Sequence, residues 1–249
     1  MIQFAYQNKA DSAIVTASSE LATLPATNVQ QIWRSRVWRT TGDTSEWIKF
    51  DMGSATAVRA FALIGHNLTS GAVVHIQANA TDVWTAPSVD VAITYHSATL
   101  VYLWSTDQSF RYWRITLADS SNPEGFIDVG RIYLGPTTTP ERNYRSWGRE
   151  DFDNTAITPS YDGAESFESK SAYTTLAFEF ERILPAPFDA LAAAVGMKSY
   201  FFIIADYDNA VLPDGRHDLT RYVRFDGLPQ YTYSHLTRQD ITINLVEAL

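Results

Sequence analysis

Several segments of the first half of the chain alternate hydrophobic and polar residues with a period of two. Residues 47–52 and 111–117 both follow this pattern, and clusters of Gly, Ser, Asn and Asp separate such segments. A period of two is typical of a strand with one buried face, and short strands between turn residues favour a sandwich over a parallel sheet. The pattern therefore predicts an all-β first domain. The residues that we expect in its core are Trp38, Phe50, Trp113 and Ile115.

The second half of the chain has a different order of elements. Residues 171–182 form a long amphipathic strand pattern, and residues 200–205 form a continuous apolar strand. Between them, residues 185–196 begin with prolines, continue with alanines and end with glycine, which is the expected order of helix signals. Residues 240–247 alternate again. We predict a small β-sandwich or split barrel with one covering helix.

The clearest linker lies between these halves. Two prolines, Pro136 and Pro140, bracket three threonines, and such a tract does not join a central strand. The predicted organisation is a β-sandwich with an N-terminal strand in residues 1–136, a Pro/Thr linker in residues 137–145 and a second β domain in residues 146–249.

Five segments resemble the strand motifs of discoidin-like (coagulation factor 5/8 type C) domains. They are residues 33–40, 46–53, 57–68, 111–115 and 127–135. The resemblance implies a galactose-binding-like jelly-roll sandwich. Such sandwiches serve many unrelated tasks, so the fold alone does not give the function. Galactose-binding-like folds often carry a structural calcium near the first strands. Asp43 and Glu46 are the possible ligands here, and no other cofactor is expected.

The element order of residues 146–249 resembles the tail-tube-like domains of bacteriophage tail and baseplate proteins. The resemblance implies a tail-tip component, similar to distal tail proteins, that assembles in the host cytoplasm and resides in the virion. The implied partners are copies of itself, in a ring that is expected to be a hexamer, and other tail or baseplate proteins. We expect ring contacts through the edges of the strands predicted at residues 171–182 and 240–247.

Composition narrows the possible partners. The net charge of −9 disfavours nucleic acid, and no apolar run approaches the 18 residues of a membrane span. Residues 1–6 lack the pattern of a secretory signal, and the absence of cysteine excludes disulfides and thiolate metal sites. The basic patches are expected to supply ion pairs or interfaces. They contain Arg34, Arg36 and Arg39, and then Arg142, Arg145 and Arg149.

No catalytic motif is found, so we expect a protein that is not an enzyme. His66 follows a glycine at a strand end, where a loop-stabilising hydrogen bond is the favoured interpretation over a catalytic base. His75 is expected to face outward from a strand or to be satisfied within the core. The acidic residues at 206–218 fail the calcium-loop template and predict a turn.

Aromatic residues are the feature with a possible binding role, because sugars stack their C–H faces on aromatic rings. The chain has seven Trp and thirteen Tyr, and the tryptophans in or beside loops are Trp33, Trp38 and Trp84. These three are candidate glycan ligands, with packing as the alternative for each. Two functions therefore stay open. The favoured one is a structural component of a phage tail tip or baseplate, and the alternative is a carbohydrate-binding module that contacts a cell-surface glycan.

Overall fold

The computed structural model describes residues 1–159, 161, 164–205, 220–233 and 237–248. The described part of the chain is mainly β-strand and has one α-helix, which confirms the all-β fold class. The chain forms two compact units, Met1–Thr139 with Phe202–Arg221, and Pro140–Phe201 with Tyr222–Leu249. The predicted linker and domain boundaries remain a prediction, because compactness alone does not establish that a unit folds independently.

The strands are numbered along the chain. They are β1 (Gln3–Ala5), β2 (Ile14–Ala17), β3 (Trp38–Arg39), β4 (Glu46–Ile64), β5 (Val73–Asn79), β6 (Val89–Ile93), β7 (Thr99–Ala118), β8 (Asp128–Val129), β9 (Arg131–Gly135), β10 (Ser146–Phe152), β11 (Ala156–Pro159), β12 (Glu165–Glu168), β13 (Tyr173–Ile183), β14 (Phe201–Ile204), β15 (Thr220–Phe225), β16 (Gln230–Tyr233) and β17 (Gln239–Glu247). Helix α1 spans Ala186–Val195, and two short 3-10 helices span Lys9–Ser12 and Ala26–Gln30.

Two long strands organise the first unit. Its six-stranded sheet has the order β2-β4-β7-β5-β6, and β9 pairs with β4. The N-terminal half of β4 lies beside β2, whereas its C-terminal half lies beside β9, and β7 follows both halves with shifts of register between them. The irregularities bend both long strands. A two-stranded sheet of β3 and β8 adds to this unit, and β1 pairs with β14.

The core of the first unit follows the alternation in the sequence. Trp38, Phe50, Trp113 and Ile115 are each 0% exposed, which confirms the predicted core. The odd-numbered residues in the first half of β4, from Trp47 to Asp51, face outward instead, as the period of two requires. Removing a buried aromatic side chain of this size costs about 3 to 5 kcal/mol. These residues therefore contribute a large part of the free energy that stabilises the unit.

In the second unit, four strands follow the order β15-β17-β13-β10, and β16 also pairs with β17. The prediction that residues 171–182 and 240–247 present free edges is wrong. The first segment forms β13, which has β10 and β17 on its two sides, and the second forms β17, which has β13 on one side and β15 and β16 on the other. Alternation shows that a strand is half-buried, but it does not show where the strand lies within a sheet.

Helix α1 forms as its sequence predicts. Pro185 precedes the first turn of the helix. Gly196 ends the helix with a φ of +56°, which residues other than glycine rarely adopt. Phe188 faces the sheet, where its ring centroid lies 4.8 Å from that of Phe180. Within the described residues, no helix is both long and apolar enough to cross a membrane.

Candidate ligand-binding site

Three loops of the first unit meet where two glycines allow the backbones to approach closely. A Cβ atom at Gly130 would lie 2.6 Å from the carbonyl oxygen of Arg34, and one at Gly65 would lie 3.2 Å from Cα of Gly130. Such distances admit no larger residue at Gly130 without a shift of the backbone. The loop that carries Trp33 is therefore held against the end of β4 and the turn between β8 and β9.

The side chain of Asn67 organises this region. Its Nδ2 donates to Oε2 of Glu124 at 2.9 Å and to the carbonyl oxygen of Phe126 at 3.0 Å. Its Oδ1 accepts from the backbone N–H of Asp128 at 2.8 Å. One amide thus uses both donors and its acceptor to fix the loop that precedes β8.

Arg39 projects from β3 into the same region. Its Nε and Nη2 donate to the two carboxylate oxygens of Asp128 at 2.8 and 2.7 Å, and its guanidinium carbon lies 3.9 Å from the ring centroid of Phe126. The hydrogen bonds that Arg39 donates to Asp128 raise the pKa of Arg39, so its charge is permanent. The side chain stays 32% exposed. We call Arg39, Asn67, Glu124, Phe126 and Asp128 the loop cluster.

His66 lies beside the loop cluster and is neutral at physiological pH. Burial lowers its pKa to about 4. Its Nδ1 accepts from the backbone N–H of Leu68 at 3.3 Å, and Tyr95 contacts the ring edge-on with centroids 6.3 Å apart. The expected loop-stabilising hydrogen bond of His66 is confirmed. At a second histidine, His75, the side chain is partly exposed, and its Nδ1 lies 2.8 Å from Oδ1 of Asp90.

The predicted arginine ion pairs are present at three positions. Arg39 pairs with Asp128, as described above. Arg145 pairs with Glu181, and Nε of Arg149 lies 2.9 Å from Oδ1 of Asp151. The predicted turn at residues 206–218 lies outside the described residues.

The three candidate tryptophans have different surroundings. Trp33 is 48% exposed and precedes Arg34, the residue packed against Gly130. Trp38 is 0% exposed, and its Nε1 donates to the carbonyl oxygen of Ser19 at 2.9 Å. Its assignment as a glycan ligand is wrong, because a ring enclosed by the core cannot stack on a sugar. The packing alternative holds for Trp38.

Trp84 lies over the outer face of the six-stranded sheet, where it makes two internal contacts. Its ring centroid is 4.4 Å from the guanidinium carbon of Arg114, and its Nε1 donates to Oδ1 of Asp82 at 2.7 Å. Arg114 in turn donates to Oε1 of Gln77 on the neighbouring strand at 2.9 and 2.6 Å. These contacts are those expected of a packed residue, and they favour the packing alternative for Trp84.

The residues predicted to hold calcium do not fit such a site. Glu46 is 9% exposed and accepts hydrogen bonds from the hydroxyls of Ser18 and Ser19. The carbonyl oxygen of Asp43 accepts from the backbone N–H of Asp119 at 2.6 Å. In the described ranges, no three His, Asp or Glu residues are grouped as metal ligands. Calcium prefers six to eight oxygen ligands, which this pair does not supply.

Sequence reasoning missed most of the loop cluster. The sequence indicated a turn at Asn67 and an ion pair at Arg39. It did not indicate that Glu124, Phe126 and Asp128 belong to a site. Arg39 and Asp128 are 89 positions apart in the chain, so only the fold brings them together.

Comparisons with known proteins give similarities of structure alone. No family model matches the chain, and no curated protein does. The lectin domain of lectinolysin, solved with Lewis B antigen, is 15% identical; the match covers 54% of this chain and 99% of that one, with a TM-score of 0.43. CBM32-1 from a family 31 glycoside hydrolase of Clostridium perfringens is 10% identical over 53% of this chain and 99% of that one, with a TM-score of 0.44. A Streptococcus pneumoniae fucose binding module is 12% identical over 52% and 98%, with a TM-score of 0.43.

Proposed function

We propose that the protein binds carbohydrate without catalysis, through the loop cluster and Trp33. The observation that carries the proposal is the fixed, partly exposed guanidinium of Arg39, held by Asp128 and by the ring of Phe126. A sugar presents an apolar C–H face beside a rim of hydroxyls. In the proposed complex, Trp33 stacks on that face, while Arg39 and Glu124 bond to the hydroxyls.

The network supports such a role because it sets the polar groups before a ligand arrives. The amide of Asn67 holds Glu124 and the backbone at Phe126 and Asp128, so little side-chain freedom remains to be lost on binding. The charge of Arg39 is balanced by Asp128, with Glu124 close enough to interact with it. This balance favours uncharged hydroxyls over phosphate or sulfate groups, in keeping with a net charge of −9.

The test is to measure binding of the protein to an array of bacterial-surface and host glycans. Isothermal titration calorimetry then gives the affinity for the glycan that binds most strongly. Trp33→Ala and Arg39→Ala are each expected to weaken affinity by about tenfold or more, as for residues at the centre of an interface. Trp84→Ala is the matched control and is expected to retain wild-type affinity. Absence of any ligand, or loss in Trp84→Ala without loss in Trp33→Ala, contradicts the proposal.

A second candidate is a structural subunit of a phage tail tip or baseplate, assembled as a homo-oligomeric ring. It is supported by the hairpin of β11 and β12, in which Ile157 and Phe167 pair directly and are 57% and 63% exposed. A two-stranded hairpin has marginal stability alone, and exposed apolar residues mark interaction sites. In the described part of the chain β10 is the last strand of its sheet. The proposed occupant of both features is a second copy of the chain.

Light scattering during size-exclusion chromatography tests this candidate. The wild-type protein is expected to oligomerise with rising concentration, and Phe167→Asp is expected to stay monomeric. Leu228→Asp, also at an exposed apolar residue of the second unit, is the control. A wild-type protein that remains monomeric at all concentrations, or a Phe167→Asp variant that oligomerises like wild type, contradicts ring assembly through this hairpin.

A further inference from the structure

The second unit contains a cavity of about 390 Å³ on the face of its sheet. Its floor is formed by Thr175 and Val246, which are direct partners on β13 and β17, and Arg224 is the partner of Val246 on β15. Val246 is 8% exposed. The lining therefore includes a partly apolar row across three neighbouring strands. Small-ligand sites have volumes of about 300 to 1,000 Å³, so the cavity is large enough for one or two sugar rings.

Aromatic rings form two of its walls. Phe152 and Tyr173 are cross-strand partners whose rings stack with centroids 5.0 Å apart and an angle of 13°. Tyr200, on the other wall, stacks on Tyr222 with centroids 5.3 Å apart and an angle of 29°. Each lining ring is therefore supported from behind or beside by a second ring. Rigid aromatic surfaces of this kind suit the C–H face of a sugar.

Polar groups of both signs complete the lining. Arg224, Asp226, Glu247 and Asn154 all border the cavity. The backbone N–H of Asp226 donates to the carbonyl oxygen of Asn244 at 2.8 Å, which ties its position to β17. Two carboxylates against one guanidinium disfavour phosphate and carboxylate ligands. Carboxylates and guanidinium groups together bond well to hydroxyls, which both donate and accept.

We propose that this cavity is a second binding site, and that its ligand is an uncharged pyranose sugar. Tyr173 and Tyr200 contact the ring faces of the sugar, and Asp226 and Arg224 bond to its hydroxyls. The proposal does not rest on the loop cluster, because every residue that it uses belongs to the second unit. A protein with both sites would gain avidity on a glycan-coated surface.

Saturation-transfer difference NMR of the full chain tests the site separately from the loop cluster. The probes are the methyl pyranosides of glucose, galactose, mannose and N-acetylglucosamine, with galacturonate and sialic acid as anionic counterparts. In the Trp33→Ala/Arg39→Ala background, at least one uncharged probe is expected to bind and the anionic probes are not. Tyr173→Ala and Asp226→Asn in that background are each expected to reduce the affinity at least about fivefold.

Tyr233→Ala is the matched control, since Tyr233 is an 82% exposed tyrosine of the same unit outside the cavity lining. Thermal melting establishes that each variant is folded. Failure of every uncharged probe to bind, preference for the anionic probes, or equal affinity in Tyr173→Ala and Tyr233→Ala overturns the proposal. Because the background already lacks Trp33 and the guanidinium of Arg39, failure here is distinguishable from failure of the proposed function.

Discussion

Two ion pairs of the first unit are both bidentate, but their guanidinium groups differ in burial. Arg131 donates to both carboxylate oxygens of Asp11 at 2.6 Å, and Arg39 donates to those of Asp128 at 2.8 and 2.7 Å. The side chain of Arg131 is 5% exposed beside a 37% exposed Asp11, whereas that of Arg39 is 32% exposed beside a 16% exposed Asp128. The first pair holds β9 to the N-terminal segment. The second presents a charged group to solvent in a fixed position, which is the basis of its proposed role in binding.

Of the changes to these two ion pairs, removing the carboxylate that pairs with Arg131 is expected to have the largest effect on stability. Asp11→Asn leaves the buried Arg131 charge without its counter-charge, at a cost of about 2 kcal/mol in the free energy of unfolding, because water at the partly exposed Asp11 screens part of the loss. Urea denaturation measures the loss.

The apolar double variant Asp11→Leu/Arg131→Met sharpens this prediction. It removes both charges and the desolvation cost together, so it is expected to be more stable than Asp11→Asn. A double variant as unstable as the single one would show that shape, and not the buried charge, determines the loss.

The neutral histidine beside the loop cluster predicts a pH dependence. Burial lowers the pKa of His66 from 6.5 to about 4, so the unfolded chain takes up a proton at a higher pH than the folded chain. Stability from this group is fully present above pH 6.5 and is lost as the pH falls towards 4, by up to about 3 kcal/mol. Denaturation at several pH values gives the unfolding free energy as a function of pH. In His66→Asn this free energy is expected to fall less steeply between pH 6.5 and 4, and an unchanged pH dependence would contradict the assignment.

The exposed pair is expected to affect binding and not folding. Asp128→Asn is predicted to lower the unfolding free energy by no more than about 1 kcal/mol, because the pair is partly solvated. The same change releases Arg39 from its fixed orientation, and glycan affinity is expected to fall about tenfold. Calorimetry and thermal melting of one preparation give both values. A loss of stability as large as that of Asp11→Asn would mean that Asp128 is a structural residue.

The sequence predicted the parts of the fold that local periodicity controls. Alternation placed Phe50 and Trp113 in the core, and proline and glycine bounded α1 near its observed ends. Local periodicity does not predict strand order, because strand pairing joins residues that are distant in the chain. For this reason β13 and β17 were expected at free edges, whereas they lie inside the sheet.

The candidate sites were less predictable for the same reason. Trp33 could be proposed from the sequence because an aromatic residue in a loop is visible locally. Trp38 was misassigned because a tryptophan beside a loop can equally enter the core. The partners of Arg39 are distant in the chain: Asp128 lies 89 positions later in β8, and Phe126 lies in the loop before it. Nor did the sequence indicate the cavity of the second unit, whose stacked rings Phe152 and Tyr173 meet only through strand register.

Chemical-shift mapping with the best array glycan tests the central claim most directly. The full chain is labelled with ¹⁵N and carries Tyr173→Ala, so that the cavity of the second unit does not contribute. We predict that the largest shifts fall on the backbone amides of Asn67, Phe126 and Asp128 and on the indole N–H of Trp33, with the indole N–H of Trp84 unmoved. Shifts centred on Trp84 and Arg114, with the loop cluster unchanged, would contradict the account.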